Sequence, residues 1–281
     1  MSFKNLKFIV ILGFIFCFLI LGTWAFWLEP AHFIITEATI KLPRWHKSCD
    51  GLKIVLLSDL HVGSPHNELE NLTRVVTATN ELKPDLILLA GDYVIHEVVG
   101  GHFVKPEPIA KELEKLTAPL GIYAVLGNHD WWYSETKMKA AFNTHHIPLV
   151  DNQSSLIKHG ECQFWLAGIG DYWMGQHGIQ QALRNIPEQD TVLAFTHNPD
   201  VFYELPERIA ITLAGHTHGG QVNLPVLGRL IVPSRYGEEL AIGHIKQGGN
   251  NMFVTTGIGT SILPVRFRVP PEIALITLYA Q

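Results

Sequence analysis

The sequence predicts an α/β fold with two layers of sheet flanked by helices. The first part of the chain alternates strand-like runs with helical spacing, and short strand-like pieces dominate the later part. The strand-like runs lack polar breaks, as is typical of parallel strands buried on both faces. The clearest run, Asp85 to Leu89, is followed by Gly91 and Asp92. A carboxylate in that place lies at the carboxyl end of a strand, where open α/β sheets bind ligands.

The amino-terminal segment is apolar enough to cross a membrane. Residues 8–27 carry no charge, and a helix of that length spans about 30 Å, the thickness of a bilayer core. A cleaved signal peptide with processing at Thr23-Trp24-Ala25 is the alternative. The length of the apolar run and the aromatic residues at its end favour an anchor.

The predicted division of the chain is an anchor at 1–28, a linker with the first strand at 29–50, and one domain at 51–281. Lysines at positions 4 and 7 precede the apolar run, which places the amino terminus inside and the domain outside the cell membrane. Basic residues also follow the anchor, so the charge asymmetry is small. We therefore expect a single-pass membrane protein whose domain faces the periplasmic or extracellular side.

Composition excludes some classes of protein. The net charge is −5 with 17% charged residues, and no basic stripe of the kind that binds nucleic acid is present. We expect a monomer. Three cysteines occur, and Cys17 lies inside the apolar run. Cys49 and Cys162 could pair in an oxidising compartment, but two unrelated reduced thiols are the favoured interpretation.

The elements follow in order along the chain. Apolar runs predict strands at 33–42, 53–57, 85–89, 121–126, 147–150, 156–159, 163–167, 191–195 and 209–213. Helical spacing predicts a helix that starts at Ser64-Pro65 and stops at Pro84, and another through Ile109 and Leu113. Two more helices are predicted, from about Ser134 and near 176–186. The remainder, to position 281, contains strand-like pieces between glycines and prolines.

Five loops that follow these strands carry side chains with metal-binding chemistry. They hold Asp59 and His61, Asp92, Asn128 and His129, His197, and His216 and His218. Parallel strands bring such ends to one edge of a sheet. Imidazole, carboxylate and amide ligands suit Zn, Mn or Fe, and the lack of thiolates argues against a closed structural zinc site. Each residue alone is explained as an ordinary turn residue, whereas the joint pattern of more ligands than one metal needs predicts two divalent ions.

These motifs resemble those of the calcineurin-like metallophosphoesterases. The resemblance covers about residues 53–220 and rests on Asp59-Leu60-His61, Gly91-Asp92, Gly127-Asn128-His129-Asp130, Thr196-His197 and Gly215-His216-Thr217-His218. The later segment is similar to the membrane-associated YkuE/YaeI-like branch. It carries Gly219-Gly220-Gln221-Val222, Thr256-Gly257-Ile258-Gly259 and Leu263-Pro264-Val265-Arg266-Phe267.

The resemblance implies a four-layer α/β/β/α sandwich and a dinuclear phosphoesterase centre. It implies that Asp59, His61, Asp92 and His218 hold one metal and that Asp92, Asn128, His197 and His216 hold the other. It also implies that His129 is the general acid for the leaving oxygen. The Ser/Thr protein phosphatases of this superfamily continue Gly-Asp-x-Val with Asp-Arg-Gly, whereas Ile95-His96-Glu97 stands here. A protein-phosphatase role is therefore disfavoured, and the group that orients His129 is left open.

Substrate is inferred from the anchor and from aromatic residues. Trp131-Trp132-Tyr133 and Tyr172-Trp173-Met174 either line an apolar cleft or pack the rim of the sandwich. Four arginines, Arg229, Arg235, Arg266 and Arg268, are expected to be solvated unless they bind a second phosphate. We expect hydrolysis of a phosphorylated lipid or lipid-linked pyrophosphate, and the branch implies UDP-2,3-diacylglucosamine. The alternatives are a broad phosphodiesterase for soluble or cell-envelope esters and a non-catalytic membrane scaffold.

Overall fold

A computed structural model of the chain describes residues 3–174 and 177–281, which form two β-sheets. The strands are β1 Ile34–Leu42, β2 Leu52–Leu57, β3 Leu86–Leu89, β4 Ile122–Ala124, β5 Gln153–His159, β6 Cys162–Ile169, β7 Val192–Thr196, β8 Ile209–Ala214, β9 Gly243–Gln247, β10 Asn250–Val254 and β11 Glu272–Ala280. One sheet has the order β1-β11-β2-β3-β4 and the other β5-β6-β7-β8-β10-β9. Strands β2, β3 and β4 are parallel, as are β6, β7 and β8. Their carboxyl ends therefore lie at one edge of each sheet.

The two sheets pack face to face and carry helices on their outer faces. The helices are α1 Phe3–Thr23, α2 Leu69–Glu81, α3 Pro106–Leu113, α4 Asn128–Thr144 and α5 Ile179–Leu183. Alternate residues of β2 serve different layers: Ile54 packs between the sheets, and Val55 packs against the side that carries α2, α3 and α4. A third apolar cluster joins α5 to the other sheet. These layers confirm the predicted α/β/β/α sandwich and explain why the strand runs lack polar breaks.

Helix α1 stands away from the sandwich and is exposed over residues 7–21. It is long and apolar enough to span a membrane, as the sequence predicts. The turn Trp24–Leu28 that follows it contacts the domain: Arg266 donates its backbone N–H to the carbonyl of Ala25 at 2.9 Å. Val269 donates its N–H to the carboxylate of Glu29 at 2.7 Å. The end of the apolar segment is thus hydrogen-bonded to the sandwich.

Four secondary-structure predictions need correction. Helix α2 begins at Leu69 rather than at Ser64, because Ser64 and Asn67 close a tight turn after β2. Residues 147–150 form only an isolated bridge, at Leu149. Helix α4 begins six residues before Ser134, which is a non-helical kink within it. Helix α5 is shorter than predicted, and position 176, where its start was expected, lies outside the described residues.

The expectation of two unrelated reduced thiols is wrong. Cys49 and Cys162 form a disulfide with their Cα atoms 4.7 Å apart. The cysteines lie 113 residues apart in the sequence, so the fold alone brings them together. Cys49 precedes β2 and Cys162 opens β6, which places the bond at the sheet edge opposite the carboxyl ends of the parallel strands.

Candidate metal centre

The seven predicted metal ligands converge at the carboxyl ends of β2, β3, β4, β7 and β8. Their exposed fractions do not exceed 4%: Asp59, His61 and His197 0%, Asn128 1%, Asp92 2%, His218 3% and His216 4%. Buried polar groups need partners, since burial of an unpaired charge or amide is costly. The structure therefore brings together every ligand position that the sequence singles out.

The backbone at five of these seven residues is left-handed. The φ angles are +53° at Asp59, +40° at His61, +57° at Asp92, +72° at His216 and +50° at His218. Residues other than glycine seldom adopt this region, and each instance costs on the order of 1–3 kcal/mol. Such strain concentrates at functional sites, where the surrounding fold enforces it. The loops are therefore built to aim side chains into one space.

Two glycines allow the loops to meet this closely. A Cβ at Gly215 would lie 2.6 Å from Asp59 Oδ2, and one at Gly127 would overlap the carboxylate and backbone of Asp92. A side chain at either position would displace a predicted ligand.

One group of donors consists of Asp59, His61 and His218. The Nε2 atoms of His61 and His218 lie 3.2 Å apart, and His218 Nε2 lies 3.4 Å from Asp59 Oδ1. His61 Nδ1 contacts the carbonyl of Val94 at 3.3 Å. Because a carbonyl only accepts, this contact fixes the proton on Nδ1 and leaves Nε2 free to bind a metal.

A second group of donors consists of His197, His216 and Asn128. His197 Nε2 lies 3.1 Å from Asn128 Oδ1 and 3.0 Å from His216 Nδ1. His197 Nδ1 donates to the carbonyl of Ala90 at 2.8 Å, which directs Nε2 inward. Asp92 Oδ2 lies 3.3 Å from His197 Nε2 and 3.4 Å from His61 Nε2. A single carboxylate oxygen thus lies between the two groups.

These distances test whether the residues fit divalent metals. For bonds of about 2.1 Å, neighbouring ligand atoms in a tetrahedral or octahedral shell lie roughly 3.0–3.4 Å apart. The donor pairs lie between 3.0 and 3.4 Å apart. Asp59 Oδ1, one of these donor atoms, is buried without a hydrogen-bond partner among the described residues. The donor set fits divalent cations on both counts.

The electrostatics of the site agree with metal binding. Burial lowers the pKa of His61 to about 3, and it lowers the pKa values of His216 and His218 well below the ordinary value. These imidazoles are therefore neutral near pH 7, which is the form that binds metals. Burial also opposes charge at His197, but the carboxylate of Asp92 outweighs it and raises the pKa of His197 to about 10. The buried carboxylate of Asp92 thus attracts positive charge.

His129 lies beside the ligands with its ring at the floor of the cavity. Its backbone N–H donates to Asp92 Oδ1 at 2.9 Å, and its ring centroid lies 4.7 Å from those of both His61 and Trp132. His96 Nε2 contacts the His129 carbonyl at 3.2 Å. His129 also forms a possible metal-binding group with His61 and Asp92. The ring of His129 is thus held by packing against His61 and Trp132, and its Nδ1 has no hydrogen-bond partner among the described residues.

Asp130 is a site residue that the sequence analysis did not single out. Its buried carboxylate accepts the backbone N–H groups of Gly127 at 2.9 Å, Asp92 at 2.8 Å and Tyr93 at 2.9 Å. It also accepts from Val94 at 3.3 Å. The bond to Gly127 caps the start of α4. Asp130 therefore fixes the Asp92 loop against the Asn128 loop. Its place directly after Asn128 and His129 is the sequence feature from which this role could have been predicted.

The segment that follows β10 packs against the ligand loops. Gly259 donates its N–H to the carbonyl of Asp59 at 2.7 Å. Arg266 was expected to be solvated, but it is 0% exposed and donates to the carbonyls of Thr256 at 2.9 Å and His218 at 3.2 Å. It also donates to the carbonyl of Gly259. Carbonyl oxygens thus accept from both terminal nitrogens of Arg266, and its buried guanidinium does not line the cavity where a second phosphate would bind.

A cavity of about 680 Å³ opens above the ligands. Asp92, Asn128, His129, His216 and His218 lie at its floor, and Trp132, Trp173, Ile231 and Ile262 line its walls. Trp132 is 51% exposed and Trp173 is 45% exposed. Of the two roles considered for the aromatic residues, these two tryptophans therefore line the cleft. His96, which also lines it, occupies the segment where the protein phosphatases carry arginine.

Comparison with known proteins identifies the class of protein. The calcineurin-like phosphoesterase family profile matches residues 52–220. The chain therefore belongs to the calcineurin-like phosphoesterases. It is an enzyme of the metallophosphoesterase class, which needs divalent metals, and this confirms the class implied by the resemblance.

Three relatives place the chain within this family. It is 32% identical to the uncharacterized metallophosphoesterase YkuE of Bacillus subtilis over 91% of this chain and 88% of the relative. It is 31% identical to the phosphodiesterase YaeI of Escherichia coli over 80% of this chain and 82% of the relative. It is 26% identical to the UDP-2,3-diacylglucosamine pyrophosphatase LpxG of Chlamydia trachomatis over 90% of this chain and 91% of the relative. These matches confirm the predicted branch.

Proposed function

We propose that this protein is a membrane-anchored, two-metal hydrolase of a phosphorylated lipid or lipid-linked pyrophosphate. The single observation that carries the two-metal assignment is the position of Asp92 Oδ2, within 3.4 Å of both donor groups. In this proposal Asp59, His61, Asp92 and His218 hold one ion. Asp92, Asn128, His197 and His216 hold the other.

The metals supply a nucleophile from water at neutral pH and offset the charge of the phosphoryl oxygens. The chain's own residues orient the substrate and deliver a proton. His129 belongs to neither proposed ligand set, and its ring lies at the cavity floor beside Asp92. We assign it as the general acid that protonates the leaving oxygen.

Two observations favour a lipid substrate of the UDP-2,3-diacylglucosamine type. The cavity has polar ligands at its floor and tryptophan and isoleucine walls, which suits a phosphate group attached to an apolar body. A relative covering 90% of this chain is named for that pyrophosphatase activity. The second candidate is a broad phosphodiesterase for soluble or cell-envelope esters, favoured by the relative named as a phosphodiesterase.

We further propose that the anchor is retained and that the domain lies outside the cell membrane. Ala25 and Glu29 are buried against the domain, so cleavage after Ala25 would cut a packed segment. The disulfide between Cys49 and Cys162 favours an oxidising compartment. A cysteine introduced at exposed Lys246 in a Cys17→Ser background should react with a membrane-impermeant maleimide in intact protoplasts or spheroplasts. Labelling only after lysis would reverse the orientation.

Metal analysis and hydrolysis of bis-p-nitrophenyl phosphate by the full chain in detergent test the assignment. We expect about two metals per chain, Mn- or Zn-dependent cleavage, and loss of cleavage in Asp92→Asn. Asp50→Asn is the matched control, because Asp50 is exposed near the start of β2, at the opposite edge. A folded chain with no metal and no cleavage would support the scaffold alternative. Cleavage of the soluble diester but not of UDP-2,3-diacylglucosamine would favour the broad phosphodiesterase.

A further inference from the structure

Six aliphatic side chains are exposed beside the mouth of the cavity, and we call them the apolar rim. Their exposed fractions are Val226 106%, Leu227 65%, Leu230 67%, Ile231 78%, Ile262 71% and Leu263 46%. Single exposed aliphatic residues are ordinary, whereas several together mark an interaction surface. Ile231 and Ile262 belong both to this rim and to the cavity wall.

The two loops that carry the rim form one connected surface. Gln221 donates its side-chain amide to the carbonyls of Ser261 at 3.1 Å and Leu263 at 3.3 Å. Ser261 returns a backbone N–H to the Gln221 side chain at 2.7 Å. Asn223 donates its N–H to the carbonyl of Phe267 at 2.9 Å. The rim therefore has a fixed relation to the cavity mouth.

Charged side chains are scarce on these loops. Residues 221–233 contain a single charged residue, Arg229, and residues 257–265 contain none. The Arg229 guanidinium donates through Nε to the carbonyl of Gly219 at 2.8 Å and faces Glu238. An apolar phase could thus cover the rim with little cost of desolvating charge.

The rim is adjacent to the point where the apolar helix α1 leaves the domain. Arg266, three residues after Leu263, donates its backbone N–H to the carbonyl of Ala25. His66 donates from Nε2 to the carbonyl of Phe26 at 2.9 Å. Hydrogen bonds thus join the base of α1 to the loop that carries Ile262 and Leu263. A bilayer that holds α1 would lie next to this loop.

Local conformation presents the rim outward. Val226 and Ile262 have φ angles of +72° and +63°, a region that β-branched residues rarely adopt. Val226 lies in a tight turn closed by two hydrogen bonds of 2.9 Å between Leu224 and Gly228. The fold therefore enforces an unfavourable backbone at two fully apolar, exposed positions.

We propose that the apolar rim inserts into the surface of the bilayer that holds α1, so that the cavity opens toward the membrane. A lipid headgroup would then pass from the bilayer between Ile231 and Ile262 to the metal ligands without its acyl chains entering water. The route for substrate rests on the proposed lipid hydrolase function, whereas contact between rim and bilayer does not. A second copy of the chain is the competing occupant of the rim. The bilayer is favoured because the rim lies beside the base of α1, and contact with a second copy would not explain that position.

Fluorescence in vesicles tests the contact. Val226→Cys in a Cys17→Ser background, labelled with an environment-sensitive dye, is reconstituted as the full chain into phosphatidylcholine and phosphatidylglycerol vesicles. We expect a blue-shifted emission and a loss of fluorescence when phosphatidylcholine with a doxyl group on its acyl chain is included. Lys246→Cys is the matched control, because Lys246 is exposed in β9 near the opposite edge of the sheet. That position should show neither change.

Equal, weak quenching at positions 226 and 246 would overturn the proposal. A blue shift without lipid quenching, together with cross-linking between chains at position 226, would assign the rim to a second copy instead. Both results concern contact alone, so they are informative even if the enzyme proves to act on soluble esters.

Activity of a rim variant tests the route for substrate. Leu227→Asp should lower cleavage of UDP-2,3-diacylglucosamine in these vesicles about tenfold, because a charge replaces an aliphatic group in the bilayer surface. Cleavage of bis-p-nitrophenyl phosphate should not change, since Leu227 lines neither the cavity nor the ligands. Gln247→Asp adds the same charge at the far edge and should alter neither activity. Equal loss on both substrates for Leu227→Asp would contradict the route, whereas failure of the unaltered chain to cleave the lipid would instead reject the proposed substrate.

Discussion

The floor and the rim of one cavity are built in opposite ways. The floor is formed by His129 and the predicted ligands at and beneath it. The seven ligands are polar and at most 4% exposed, and backbone N–H groups of their loops donate to the Asp130 carboxylate. The rim consists of aliphatic side chains that are 46–106% exposed on loops of few charges. Burial in the floor therefore serves chemistry, because desolvated ligands hold metals firmly. Exposure in the rim serves contact with something apolar.

This difference separates the reaction from the choice of substrate. A change in the floor should affect every phosphoester alike, because all of them react at the same ligands. A change in the rim should affect only substrates that reach the cavity from an apolar phase. Variants of each region, measured on one soluble and one lipid substrate, therefore test whether the floor and the rim act separately.

The largest effect is expected for His129→Ala. Loss of a general acid typically lowers turnover about 10²–10⁴-fold, and both metals should remain because His129 is outside the proposed ligand sets. Turnover of bis-p-nitrophenyl phosphate and metal content per chain measure the two effects.

His159→Ala is the matched control for this variant, because His159 is exposed at the end of β5 and pairs with Cys162 at the sheet edge opposite the ligands. It should retain most turnover. If His129→Ala kept turnover with the metals bound, the acid would have to be another group. If it lost a metal, His129 would be a ligand, as its distance from His61 and Asp92 permits.

A smaller effect is expected for Asp130→Asn. The amide would place N–H donors against the N–H groups that now share the carboxylate, so the loops of Asp92 and Asn128 should shift. Residues that position metal ligands commonly change metal affinity or activity by about 10–100-fold. Metal affinity should therefore fall together with turnover on both substrates.

Asp151→Asn is the comparison for that variant, because half-buried Asp151 accepts the N–H of Leu126 at 3.1 Å and contacts no predicted ligand. It should keep metal affinity. Normal metal affinity in Asp130→Asn would mean that the floor does not depend on this brace.

The floor could be predicted from the sequence because strands position it. Each ligand loop follows an uninterrupted apolar run, so Asp59 and His197 could each be placed at the carboxyl end of a strand. The expectation of a single sheet edge was wrong, because the strands before Asp59 and His197 belong to the two different sheets. The division of the ligands between two metals came from the family resemblance instead. The local sequence pattern thus showed which residues are ligands, but it did not show which ligands share a metal.

Other features escaped the sequence because they depend on distant contacts. Apolar residues in loops, such as Val226 and Ile262, look the same in a sequence whether they are packed or exposed. Arg266 resembles a surface cation until the carbonyls around it are known. The pairing of Cys49 with Cys162 follows from how two sheets meet, and no local pattern reports that distance.

A more selective effect is expected for Trp132→Ala in the cavity wall. The ring contacts His129 and is half exposed, so its loss should loosen the general acid and remove apolar surface from the substrate path. We expect a decrease of about tenfold on UDP-2,3-diacylglucosamine and less on bis-p-nitrophenyl phosphate, because the lipid would cover the exposed part of the ring. Trp132→Phe should restore most of the difference. Equal decreases on both substrates would mean that Trp132 supports the reaction itself rather than the binding of the lipid.

The smallest effect on turnover is expected when Cys49 and Cys162 are both replaced by serine. The bond closes a loop of 113 residues, for which chain entropy predicts about 4–5 kcal/mol of stabilisation. Thermal unfolding of the detergent-purified chain should therefore show a lower Tm, while turnover well below that temperature stays unchanged on both substrates. The bond lies at the sheet edge away from the ligands, so it holds the sheets together without touching floor or rim. A parallel loss of metal from the folded variant would show that the spacing of the sheets sets the ligand geometry, and the floor would then depend on the whole sandwich rather than on its own loops.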